Sequence, residues 1–124
     1  LHTTSAPSTI DRIIDVFPAH QQHQIRTQLA SVLVGICTQT LCRTFDGTSR
    51  VACCEILNAT DSIKAMIRDD KVHLIGSAEG KATGMQTMDQ ELAKLVRSRT
   101  ISMDVALEKC VNPQDLKRFI AGGA

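Results

Sequence analysis

At 124 residues and a net charge of +1, the chain is sized for one domain or for part of a larger one. Its 43% apolar and 22% charged content excludes wholesale disorder, and the near-neutral balance excludes broad electrostatic attraction to nucleic acid or anionic lipid. Aromatic residues are only 2%, all phenylalanine, so the core must come from Ile, Leu, Val, Met and Ala, and stacking platforms for bases are lacking.

No apolar run approaches the roughly twenty residues that span a bilayer, and no signal peptide opens the chain. The cysteines are Cys37, Cys42, Cys53, Cys54 and Cys110. Their odd number and the lack of a CxxC pair point to packing cysteines in a reduced, cytoplasmic setting.

Ile10, Ile13, Ile14 and Phe17 form an i, i+3, i+4, i+7 stripe that predicts a helix over 8–17, with Ser5 as cap and Pro18 as stop. Pro18 then suits the first turn of a second helix with an apolar face of Ile25, Leu29, Val32 and Leu33. The first half of that helix, "AHQQHQIRTQ", is polar and reads as solvated. Gly35 breaks the pattern, and "ICTQTLCRTF" reads as a strand. "DGTS" is a turn and "RVACCEIL" the returning strand, whose near-continuous apolar run predicts burial on both faces.

Thr60 caps a short helix through "SIKAMIRDD" that buries Ile63, Met66 and Ile67. "KVHLIGSA" fits helix or strand, and "EGKATG" reads as a flexible connector. The remainder is helical. Met88, Leu92, Leu95 and Val96 make one stripe behind a Thr87/Gln90 capping box. Ser102 caps a helix burying Met103, Ala106, Leu107 and Cys110, and Asn112 and Pro113 open a last one with Leu116, Phe119 and Ile120. An isolated hairpin is marginally stable, and strands buried on both faces imply neighbours that the sequence lacks. The chain therefore reads as the rear of a larger α/β domain.

Single motifs carry little chemistry. "GSAEGKAT" looks like a phosphate loop but has three residues, not four, between Gly76 and Gly80, and Ala82 follows Lys81 where Ser or Thr is needed. It reads as a connector. His20 and His23 stand at i, i+3 with no third or fourth ligand evident, so a solvated polar face is the plainer reading. Cys53 and Cys54 are adjacent on a strand, point to opposite faces and cannot jointly hold a metal. Spacing alone leaves His2 as a loose terminus. Lys64 and Arg68 lie beside an Ile63/Ile67 ridge, a pattern that suits either partner docking or an ordinary amphipathic helix.

Taken together, "LHTTSA", "TIDRIIDVFP", "QIRTQLASVLVGICTQTL", "RVACCEIL", "SIKAMIRDD", "GMQTMDQELAKLV" and "ISMDVALEKC" resemble, in order and over almost the whole chain, the type IV pilus retraction (twitching motility) ATPases. The resemblance implies the rear portion of a RecA-like P-loop ATPase domain over residues 1–59 and a small C-terminal helical subdomain over 60–124. It implies a homohexameric, ATP- and Mg²⁺-dependent motor, cytoplasmic and peripheral at the inner face of the membrane. That motor would act on an inner-membrane platform protein, without nucleic acid and without inserting in the bilayer. His2 would be the histidine-box residue facing the γ-phosphate, where charge develops on the transferring phosphoryl group.

Ser62, Ile63, Lys64, Ala65, Met66, Ile67, Arg68 and Asp69 would match the family's AIRNLIRE-type retraction motif. The match has departures. Ser62 stands for alanine, Asp69 for glutamate, and Lys64 for an arginine, keeping the charge but losing the bidentate fork. The sequence holds no Walker A loop, Walker B acid, upstream acidic box or arginine finger, so the polypeptide alone is expected neither to bind ATP in the usual way nor to hydrolyse it. An assembly or secretion ATPase of the same superfamily, or a non-catalytic helical interaction module, are the alternatives.

Overall fold

In a computed structural model the described residues are 5–81 and 84–122. The order is α1 (Ala6–Asp15), α2 (Ala19–Val32), β1 (Gly35–Arg43), β2 (Arg50–Asn58), α3 (Asp61–Arg68), a 3₁₀ turn (Val72–Leu74), α4 (Ile75–Lys81), α5 (Met88–Arg97), α6 (Met103–Lys109) and α7 (Pro113–Gly122).

α1 begins two residues ahead of the prediction. The Ser5 hydroxyl accepts from Ser8 N–H, and the Ser8 hydroxyl accepts from Ser5 N–H in return, each at 3.3 Å. Pro7, with its preset φ, falls inside the first turn. Ile10 and Ile14 are buried, while Ile13 and Phe17 lie at the edge. α2 packs Ile25 and Leu29 on the same core, with Leu33 just beyond its end. Val32, expected on that face, is instead 71% exposed, because Ala30 takes the inward position at the end of the helix.

The hairpin pairs all nine residues of each strand, from Gly35↔Asn58 to Arg43↔Arg50. Its inner face is built by Thr38 and Cys42 against Cys53, Glu55 and Leu57. The expected burial of both faces is not what the described residues show. Alternate residues turn outward, leaving Leu41 48% and Ile56 37% exposed. Glycine is required at Gly35, where a Cβ would stand 2.9 Å from the Leu57 carbonyl oxygen.

Two apolar clusters meet across this hairpin. The first gathers Ile10, Ile14, Ile63, Ile67, Val72 and Ile75 around Leu57, at the base of the strands. The second seats Cys42 and Cys53, nearer the turn, beneath Met88, Leu92, Ala106 and Leu116. The stretch read as a flexible connector departs from expectation: "GSAEGK" lies within α4, with Glu79 fully buried. Its glycines hid a helix whose inward row runs Val72, Ile75, Glu79. Residues 82 and 83 of that stretch lie outside the described residues.

Candidate functional site

α3 is short and held from both ends. The Thr60 hydroxyl accepts from Ile63 N–H at 3.3 Å, and Asp61 stands in the first turn, where the helix dipole favours an acid. After the helix, Asp70 takes a left-handed φ of 59° and pairs with Arg26 of α2 at 3.3 Å. Ile63 and Ile67 are sealed in the first cluster and Met66 packs against it. The Ile63/Ile67 ridge is therefore not available to a partner, which corrects the combined apolar and cationic face. Each fully buried isoleucine contributes about 1.5–3 kcal/mol to the fold.

What α3 leaves outward is polar. Ser62, Arg68 and Asp69 are exposed, and Lys64 and Ala65 are half-buried. Among the described residues Arg68 pairs only with Asp69, at 3.8 Å between two exposed side chains, a pair worth little in water. Among the described residues Lys64 makes no ion pair. Lys64 and Arg68, one turn apart, thus present two cationic side chains that the chain itself barely uses.

The "GMQTMDQ" segment is the reverse case. Gln86 exchanges both backbone bonds with Ile56, at 2.9 and 3.0 Å, and donates its side-chain amide to the Cys54 carbonyl at 2.6 Å. Thr87 and Gln90 form the expected capping box, and the Gln90 amide also donates to Gly80 O at 2.7 Å. Asp89 accepts from Val111 and Asn112 N–H at 2.8 and 2.9 Å, closing the connection between α6 and α7. Burial pushes its carboxyl up from the ordinary value while those two N–H groups pull it down.

Between the two clusters lies a cleft of about 440 Å³, reached by Ser5, Glu55, His73, Glu79, Asp89 and Arg118. Glu55 and Glu79 meet at its floor, and the sequence reading missed both. Glu55 was readable as a charge in phase with the inward Cys53 and Leu57. Glu79 became readable only once α4 is known to be a helix. Burial pushes both carboxyls up, Glu79 to about 10.

His2 lies outside the described residues. His20 and His23 are exposed on α2, and among the described residues no group of three or more His, Cys, Asp and Glu could hold a metal ion. Cys53 is buried, Cys54 is half-buried, and burial pushes both thiols up, the behaviour of packing rather than reactive cysteines. Gly76 and Gly80 lie within α4 and not in an open glycine-rich loop. The described residues do not fit the triphosphate and metal of a nucleotide site.

No family model matches the chain. It is 42% identical over 118 residues to the twitching motility protein of Neisseria gonorrhoeae, covering 94% of this chain and 32% of that protein. It is 44% identical over 117 residues to the type IV pilus retraction ATPase PilT of Pseudomonas aeruginosa, covering 93% and 34%. The crystal structure of the pilus retraction motor PilT with bound ADP superposes with a TM-score of 0.85 at 37% identity, over 95% of this chain and 33% of that one. Over most of its length the chain is similar to these pilus retraction ATPases. It spans about a third of the length of the curated relatives it matches. The α/β arrangement of two helices, hairpin and following helices is that of the retraction motor. Among the described residues no helix is long and apolar enough to cross a membrane.

Proposed function

We propose that the chain serves as the C-terminal part of a hexameric ATPase that powers type IV pilus retraction and twitching motility. The observation that carries this reading is the match to PilT over 93% of the chain at 44% identity. In it, residues 1–59 close the rear of a RecA-like core and 60–124 form the small helical part. The whole assembly binds ATP with Mg²⁺, works in the cytoplasm at the inner face of the membrane, and pulls through an inner-membrane platform protein. His2 faces the transferring phosphoryl group there, supported by its place in "LHTTSA".

Ser62 to Asp69 are the retraction motif, with the roles divided by burial. Ile63 and Ile67 fix the helix, Met66 packs beside them, and Lys64 and Arg68 meet an acidic surface of the next component. Ser62, Ala65 and Asp69 border that cationic pair. Because α3 is anchored through its inner face, the outer pair can transmit force without being part of the fold.

A chimera tests the proposal. The aligned third of Pseudomonas aeruginosa PilT is replaced by these 124 residues in a strain lacking its own retraction ATPase. Restored twitching and restored ATP turnover are expected, with turnover lost on His2→Ala. A chimera that assembles and hydrolyses ATP but leaves cells unable to twitch points to an assembly or secretion motor and sinks the retraction role.

A further inference from the structure

We propose that Glu55 and Glu79 hold a single proton between them and act as one unit that anchors the first turn of α1, which makes Glu55 a positioning residue for the chain entering that helix. Glu55, on β2, accepts from Ala6 N–H at 2.7 Å. Ala6 is the first residue of α1, where free N–H groups and the helix dipole favour a negative partner. The bond joins residues 49 apart in sequence and is buried. Glu79 reaches the same place from α4. It is fully buried, and among the described residues neither of its carboxyl oxygens meets a hydrogen-bond donor.

An ionised carboxyl cannot be left in that state. The Glu79 oxygens are buried at the floor of the cleft, turned away from water that would solvate a charge. Among the described residues no ion pair includes either glutamate. Among the described residues, the acidic and basic side chains that line the same cleft are Asp89 on α5, His73 on the 3₁₀ turn, and Asp115 and Arg118 on α7, the last two paired with each other at 3.2 Å. None supplies a counter-charge to Glu79. A proton does: on Glu79 it donates to the Glu55 carboxylate, and Glu55 stays ionised toward Ala6. The opposed influences agree with this. Burial, then contact with Glu55, raises Glu79, whereas the bonds from Glu79 and Ala6 lower Glu55 against its own burial.

His2 stands four residues before Ala6. The functional half of the inference rests on the reading of His2 as the phosphate-facing residue, because the bond to Ala6 fixes where that segment leaves α1.

Carboxyl-carbon NMR on the full 124-residue chain tests the pair. At pH 7 one of the two carboxyls is expected to carry the protonated shift and the other the ionised shift. Two ionised carboxyls at that pH overturn the proposal. In E79Q the high-pH titration should vanish while the Ala6 amide stays protected. In E55L that amide should exchange at least tenfold faster. If E55L does not fold, E55Q decides: its amide donates to Glu79, so Glu79 should titrate several pH units lower, and an unchanged Glu79 titration also overturns the pair.

In the chimera, E55L should lower kcat about tenfold with KM for ATP unchanged, and E55Q should recover most of the loss. An unaltered kcat in E55L, with H2A inactive, overturns the positioning role and leaves the reading of His2 intact. Full turnover in H2A overturns that reading and the positioning role with it, while the proton-sharing pair is still judged by its titration.

Discussion

α3 and α5 both begin at a threonine whose hydroxyl accepts from the third residue of the helix, and both bury an apolar row, Ile63 and Ile67 on one, Met88 and Leu92 on the other. They differ in the polar residues. On and just ahead of α5, Gln86, Thr87, Asp89 and Gln90 are all bonded to backbone groups of β2, α4, the α6–α7 connection or the helix's own first turn. On α3, among the described residues, Ser62 and Lys64 have no such side-chain bond and Arg68 pairs only with its neighbour Asp69. The polar residues of "GMQTMDQ" are thus accounted for by folding. α3 has an inner face spent on the core and an outer face whose polar residues the described fold barely uses. A sequence match shows that residues are used; only their bonds tell for what.

The largest test of this contrast removes what the two helices share. Ile67→Ala and Leu92→Ala each delete a fully buried side chain and should each cost about 2–5 kcal/mol by denaturant titration. A loss below about 1 kcal/mol in either breaks the claim that both are equally anchored.

Next comes the polar difference. Asp89→Ala strips the acceptor from two backbone N–H groups and should cost about 2 kcal/mol. Ser62→Ala, the matched change on α3, should fall within about 0.5 kcal/mol of wild type. Equal effects at both positions erase the distinction.

α4 lies between the two helices and carries the acid whose response to pH is unusual. The folded value of Glu79 is raised to about 10 from the ordinary 4.5. A raised value means that its contribution is fully present below 4.5 and lost as pH climbs toward 10. E79Q has no such proton to lose. Its stability relative to wild type should therefore rise between pH 5 and 8, by up to about 1.4 kcal/mol per pH unit. A flat difference across that range refutes a buried, protonated Glu79.

Much of this was legible beforehand, for reasons that can be located. Caps and stripes gave α1, α3 and α5 because local bonds and periodicity there agree with the tertiary packing. Val32 failed because the stripe rule takes any apolar residue in phase, while Ala30 was the one the neighbouring helices had room for. α4 failed because two glycines in seven residues lower helix propensity, and tertiary burial of Ile75 and Glu79 overrides that. The burial of "RVACCEIL" on both faces was read from composition, but a strand's two faces are set by what packs on each, and among the described residues only one is covered. The carboxyl pair was out of reach for a simpler reason: 24 positions separate Glu55 from Glu79 in sequence, and nothing local links them.

The smallest effect on the fold should come with a large effect on the cell. Lys64→Ala with Arg68→Ala removes two outward cations whose sole described ion pair is 3.8 Å long and exposed on both sides. Stability should change by less than about 0.5 kcal/mol. ATP turnover by the chimera should also hold, because neither residue touches the core or the "GMQTMDQ" contacts. Twitching should fail, since the pair is what α3 has left to offer an acidic partner surface. Arg in place of Lys64 should keep motility, because charge is retained and a planar fork added. If the double variant twitches normally, the outer face of α3 is only a solvated surface, and its likeness to the retraction motif lies in Ile63 and Ile67 alone. If it unfolds, the two helices are not as different as their bonds indicate.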